Sequence, residues 1–216
     1  MPYNVFRLAG DASHVASIAL LLRKVRQSKS CSGVSLTTQQ LYFVVFVTRY
    51  LDLFVRFIDW YTSVMKVLFI ATSAAIVHVM RTHKTVKQTY DRSSDLPMWW
   101  FVAPCAAFAL LLPHKYTILE ILWSFSIYLE AVAIVPQLYM TQQTGNIDQL
   151  TSHFVFFLGS YRALYLANWV YRYMNEKDYR AWLVWICGAV QTLLYADFMY
   201  FYAKSLLKGK RLKLPT

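Results

Sequence analysis

The stretch LEILWSFSIYLEAVAIVPQL, residues 119–138, decides how this chain is read. As a helix it is long enough to cross the hydrocarbon of a bilayer, which takes about 20 mostly apolar residues. Yet it carries two carboxylates, Glu120 and Glu130. At such depth a charge costs roughly 3 kcal/mol or more unless something pairs with it. A segment both apolar and charged belongs in a bundle, with its carboxylates turned to partner side chains or a wet cavity.

Working outward, similar apolar runs fall at about 5–22, 38–57, 64–81, 98–112, 151–171 and 181–205, separated by polar or charged turns. With 117–138 they make seven predicted spans. The fourth is short, contains Pro104 and closes at Pro113. Composition agrees: 57% of the 216 residues are hydrophobic and 15% charged, whereas a soluble domain is about a quarter charged. That leaves too little polar surface for a water-soluble globule. The net charge of +11 could suit nucleic acid, but the basic residues sit in short clusters between apolar runs. Such clusters are what the inner face of a membrane attracts, so lipid, and not nucleic acid, is the expected partner.

Cys31, Cys105 and Cys187 lie far apart, with no CxxC pair and no His/Cys spacing suited to a metal. They read as small apolar fillers, and neither a disulfide, a metal nor another cofactor is expected. Arg7 and Asp11 interrupt the first apolar stretch and no small-residue cleavage site follows. That stretch is therefore expected to remain as a membrane helix.

Seven spans put the termini on opposite sides. One side collects Arg23, Lys24, Arg26, Lys29, Arg81, Lys84, Lys87, Arg92, Lys204, Lys208, Lys210, Arg211 and Lys213, thirteen in all. The other has six: Arg56, Lys66, Lys115, Arg172, Lys177 and Arg180. The positive-inside tendency places the C-terminus in the cytosol and the N-terminus in a lumen or outside. An internal echo suggests two halves. Gly33 stands 16 residues before Arg49, and Gly145 stands 16 before Tyr161. The expected architecture is all-α, one membrane domain over 1–216. Two three-helix bundles (about 5–81 and 117–205) are joined by a fourth helix (about 98–112), with a basic tail at 206–216.

Ionisable side chains recur inside the spans and group by helical spacing. Arg7, Asp11 and His14 share one face. Arg49 and Asp52 are three apart, and Trp123 and Glu130 share a face with Glu120 one turn above. Tyr161, Tyr165, Asn168 and Arg172 form a stripe, with Arg162 and Trp169 beside it. Arg49 with Asp52, or Arg162 with Glu130, could simply be neutralising pairs that fix helix packing. Several arginines amid Trp and Tyr point further, because a guanidinium is a planar, permanently charged fork for carboxylates. The set suits an anionic ligand with more than one carboxylate, with Asp52 and Glu120 left to accept a cation. His14 is the group whose charge would change between about pH 5 and 8. No nucleophile elbow, phosphate loop or HExxH occurs, and nothing points to an enzyme.

At these residues the chain closely resembles the ER lumen protein-retaining receptors, the KDEL receptor family. The matching stretches are FRLAGD with SH (6–14), TRYLDLF (48–54), residues 119–138, TSHFVFFLGSYRALYLANW (151–169) and LLKGKRLKLP (206–215). The segment VPQL (135–138) is also similar to PQ-loop and sugar-transporter relatives, which share the two-triple-helix architecture. The resemblance implies a receptor cycling between Golgi and endoplasmic reticulum. It would bind C-terminal Lys/His-Asp-Glu-Leu signals in the Golgi and release them in the reticulum.

Carried onto this chain, the resemblance gives Arg7 and Arg49 the free carboxylate and a nearby acidic side chain. Arg172 with Trp169 takes the other acidic residue near the lumenal mouth, and Asp52, Glu120 and Trp123 surround the cationic first residue. Arg162 would help maintain the polar network below the ligand, and Tyr165 and Asn168 of the same stripe are expected to contact that ligand. His14 would sense pH together with a Tyr161–Glu130 hydrogen bond. Lys204, Lys208, Lys210 and Arg211 would recruit the COPI coat of retrograde vesicles, or anchor the tail at anionic lipid. Asp197 would serve transport and not ligand binding. Arg56, Thr37 and the loop YRYMNEKDYR (171–180) depart from the family pattern. A PQ-loop transporter of sugar or a small amino acid is the competing expectation, since it shares fold and motif.

Overall fold

Asn4 starts the first helix by accepting a hydrogen bond from the Arg7 backbone N–H at 2.9 Å, and α1 runs Val5–Ser28. The computed structural model describes residues 4–55, 57, 59–144, 147–177, 179–208 and 212. Lys29, in the left-handed region at φ 48°, ends α1. Ser35 caps α2, Leu36–Arg49, after which a single 3-10 turn covers Leu51–Phe54. Asp59 caps α3, Trp60–Thr82, and the short α4 follows at Lys84–Gln88. Next come α5, Trp99–Leu111, with Pro104 inside it, and α6, Ile118–Val132, capped by Thr117. Helix α7 is Val135–Thr144. Asp148 caps α8, Gln149–Asn175, and α9 is Trp182–Leu207. Among the described residues there is no strand.

Among the described residues, four helical segments are long and apolar enough to cross a membrane: Val5–Ser28, Trp60–Thr82, Ile118–Thr144 and Trp182–Leu207. The other predicted spans differ for physical reasons. The run predicted at 38–57 is α-helical only to Arg49 and continues as the 3-10 turn Leu51–Phe54, with Arg49 and Asp52 turned to partners on different helices. The run predicted at 117–138 continues to Thr144 but breaks at Ala133–Ile134, just before Pro136. Proline has no N–H to return to the preceding turn and its ring crowds that turn's carbonyl. Helix α8 has the length, but its polar stripe lowers its hydropathy.

Helix α1 lies along α8, and α2 packs on α6. Within the first half α3 touches both α1 and α2, and within the second α9 touches both α6 and α8. Helix α5 rests on α6. The α1–α8 approach depends on Gly10, where a Cβ would lie 2.7 Å from the Tyr165 ring.

Polar side chains lock the end of the bundle where α1 finishes. Lys24, expected as a membrane-surface charge, is 4% exposed and donates to Asp148, Thr151 and the Ser32 carbonyl. Its charge is spent within the fold. Gln137 of the predicted PQ segment is fully buried. It accepts from Ser35 N at 2.9 Å, and its amide donates to Gly33 O at 2.8 Å and Thr141 Oγ1 at 3.1 Å. Gln137→Leu should strand the Ser35 N–H and Gly33 carbonyl and destabilise the protein by about 2–3 kcal/mol. The check is thermal unfolding in detergent, where an unchanged midpoint would refute it. Gly145, part of the sequence echo, lies outside the described residues.

Candidate functional site

Glu130 of α6 is the pivot of the interior. It is 2% exposed and accepts from Arg49 Nη1 at 2.5 Å, Arg162 Nη1 at 3.2 Å and Tyr161 Oη at 2.7 Å. Arg49, the last residue of α2, also donates to Ser126 Oγ at 3.2 Å and Ser126 O at 3.0 Å. Its partners are thus Glu130 and Ser126, not Asp52. Arg162 is equally buried and lies 5.1 Å from the Trp169 ring. Its Nε and Nη2 have no hydrogen-bond partner among the described residues.

Above this cluster opens a cavity of about 280 Å3 between α1, α2, α3 and α8. Arg7, Asp11 and His14 line it from α1, as their spacing predicts, and Tyr161, Tyr165, Asn168, Trp169 and Arg172 line it from α8. The His14 ring stacks on Tyr161 at 4.3 Å and on Phe69 at 4.6 Å. Asp11 accepts from Tyr61 Oη at 2.8 Å and from Tyr165 Oη. Asn168 accepts from Asn4 Nδ2 at 2.7 Å. Among the described residues, five cationic side chains (Arg7, Arg49, Lys66, Arg162, Arg172) and two carboxylates (Asp11, Glu130) line it, and two of the cations are already paired with carboxylates beyond the lining, Lys66 with Asp52 and Arg172 with Glu176. With those two partners counted, the described side chains leave a net excess of one positive charge.

A second cavity, about 520 Å3, shares Arg49, Tyr50 and Lys66 with the first and brings together Asp52, Glu120, Trp123 and His114. Asp52 Oδ2 pairs with Lys66 Nζ at 2.6 Å, while its buried Oδ1 has no partner among the described residues. A third cavity, about 340 Å3, reaches Arg49 from the side of Trp123, Trp169 and Tyr179. All three adjoin at Arg49. At the end of α8, Arg172 binds Glu176, which holds the Glu176 carboxyl down at about 2.

Sequence reading missed Lys66 as a cavity residue, although a lysine near the start of an apolar run was a visible signal. Glu176, four residues after Arg172, had the spacing of a helical ion pair, whereas Tyr61 and Ser126 carried no signal. The expected tail residues stand apart from the cavities: Asp197 is exposed on α9, Lys204 lies 5.5 Å from the Tyr200 ring, and Lys208 closes α9. Arg56, Lys210 and Arg211 lie outside the described residues.

Long apolar helices around a cation-rich cavity define a helical membrane protein. The ER lumen protein retaining receptor family model matches residues 30–172. Over 213 residues, 98% of this chain and 99% of each relative, it is 54% identical to ER lumen protein-retaining receptor B of Arabidopsis thaliana. Over the same span it is 51% identical to the ER lumen protein-retaining receptor of Drosophila melanogaster and 47% to ER lumen protein-retaining receptor 2 of Homo sapiens. The chain belongs to the ER lumen protein retaining receptor family.

Proposed function

We propose that this protein binds the C-terminal Lys/His-Asp-Glu-Leu signal of soluble reticulum residents in the Golgi and returns them to the reticulum. One observation carries the reading. The adjoining cavities are lined by Arg7, Arg49 and Arg172 at one end and by Asp52, Glu120 and Trp123 at the other. A peptide end with a terminal carboxylate, acidic side chains and one cation matches both. Arg7 and Arg49 take the terminal carboxylate and a neighbouring acid, Arg172 takes the outer acid, and Asp52, Glu120 and Trp123 receive the cation. No catalytic step is needed for that task.

The same reading makes α1–α3 and α6–α9 two three-helix bundles spanning the membrane seven times, with α5 as the linking helix. The packing supports it: α3 and α9 hold equivalent places in their halves, and the α1–α8 contact is mirrored by α2–α6. The N-terminus is lumenal, and the basic cytosolic tail engages the COPI coat and anionic lipid.

His14 sets the pH response. Its ring lies between aromatic faces beside the ligand cavity, so protonation adds a cation near an anionic ligand. Binding should therefore strengthen as pH falls. The test is equilibrium binding of a peptide ending in Lys-Asp-Glu-Leu to purified protein at mildly acidic and neutral pH, with an amidated peptide as control. Acid-favoured binding that amidation removes is expected, and His14→Ala should flatten the pH response. No binding at either pH, even with His, Arg or Gln as first residue, overturns the receptor reading. An unchanged pH response in His14→Ala overturns the role of His14 alone.

A further inference from the structure

Arg172 does not stand free at the cavity mouth, and the way it is held is specific. Its Nε donates to both Glu176 oxygens at 3.1 and 3.0 Å, and Nη2 donates to Oε2 at 2.8 Å. One side of the guanidinium fork is thus bound edge-on. Its face lies 4.0 Å from the Tyr179 ring. Tyr179 in turn packs on Trp185 at 6.1 Å, within the aromatic cluster that opens α9. The turn between α8 and α9 therefore grips one edge and one face of Arg172, while the same residue lines the 280 Å3 cavity.

We infer that Glu176 and Tyr179 are positioning residues for ligand capture, holding the Arg172 fork so that its Nη1 side meets the incoming carboxylate. The inference rests on the receptor reading above. Two effects of Glu176 oppose each other. Its negative charge weakens the attraction of Arg172 for an anion, and its bidentate grip removes the rotamer freedom that binding would otherwise have to remove. Arg172 and Glu176 side chains are 33% and 25% exposed, so water and salt screen the repulsion. Ordering a long, flexible side chain is a cost that screening does not reduce. Positioning wins. The stacked ring adds to it, since an aromatic face holds a guanidinium plane while leaving its edges open.

The experiment measures peptide affinity for the full chain carrying Glu176→Gln, Tyr179→Leu or Tyr179→Phe, alone and with Arg172→Ala. Glu176→Gln and Tyr179→Leu should each weaken binding of the acidic tetrapeptide by roughly five- to tenfold. Tyr179→Phe, which keeps the ring, should bind like the wild type. On the Arg172→Ala background neither change should weaken binding further, which a merely structural role would not produce. A peptide whose Arg172-facing acid is replaced by its amide should lose the sensitivity to Glu176→Gln as well. Wild-type binding with an unaltered or tighter Glu176→Gln variant overturns the positioning role. Absence of peptide binding in the wild type overturns the receptor reading itself.

Discussion

Glu130→Ala is expected to destabilise the protein by about 3–5 kcal/mol, the largest stability loss of any single substitution at the site. The carboxylate takes hydrogen bonds from Arg49, Arg162 and Tyr161 at once. Removing it leaves two guanidinium charges inside the bundle with nothing opposite them, and Arg162 already has two N–H groups without partners. A buried ion pair need not stabilise a fold relative to an apolar packing, but breaking one side of it is always costly. Two further variants separate that cause from simple loss of packing. Glu130→Gln keeps the shape and an acceptor for Tyr161, so it should lose less. Glu130→Ala combined with Arg162→Met should recover part of the loss, because the second change removes one stranded charge. Thermal unfolding in detergent reads all three. A Glu130→Ala change below about 1 kcal/mol would mean that the arginines find other partners and that Glu130 is not the pivot.

How far the sequence foretells this site depends on which kind of spacing is asked. Arg7, Asp11 and His14 sit on one uninterrupted helix, so period 3.6 alone puts them on one face, and all three line the cavity. The α8 stripe from Tyr161 to Arg172 is legible for the same reason. Arg49 and Asp52 are not, because the helix ends between them. Helical spacing joins them, whereas the 3-10 turn sends Arg49 to α6 and Asp52 to Lys66 of α3. Lys24 shows a second limit. A lysine among Arg23, Arg26 and Lys29 reads as surface charge, and only the distant Asp148 reveals it as a buried tie. Local periodicity reveals faces, but pairings between different elements, 14 residues apart for Asp52–Lys66, 81 for Arg49–Glu130 and 124 for Lys24–Asp148, require the packing.

Arg49→Ala should reduce affinity for the acidic tetrapeptide by roughly 100-fold or more, the largest binding loss of any single substitution. Arg49 is the residue at which all three cavities adjoin, and its side chain is 16% exposed. On the proposed reading a ligand carboxylate would meet there a desolvated, fixed cation, where a charge-assisted hydrogen bond is strongest. Stability should suffer less than in Glu130→Ala, because Glu130 keeps Arg162 and Tyr161. Arg49→Lys should not restore binding. The guanidinium spreads its donors over Glu130, Ser126 Oγ and Ser126 O, and an ammonium on a flexible stem cannot hold that geometry. Arg172→Ala, at the mouth where the side chain is about one-third exposed, should lose only about tenfold. Calorimetric or fluorescence titration of the three variants yields the order. If Arg172→Ala proves the more damaging, the carboxylate is bound at the mouth and the buried cluster serves folding alone.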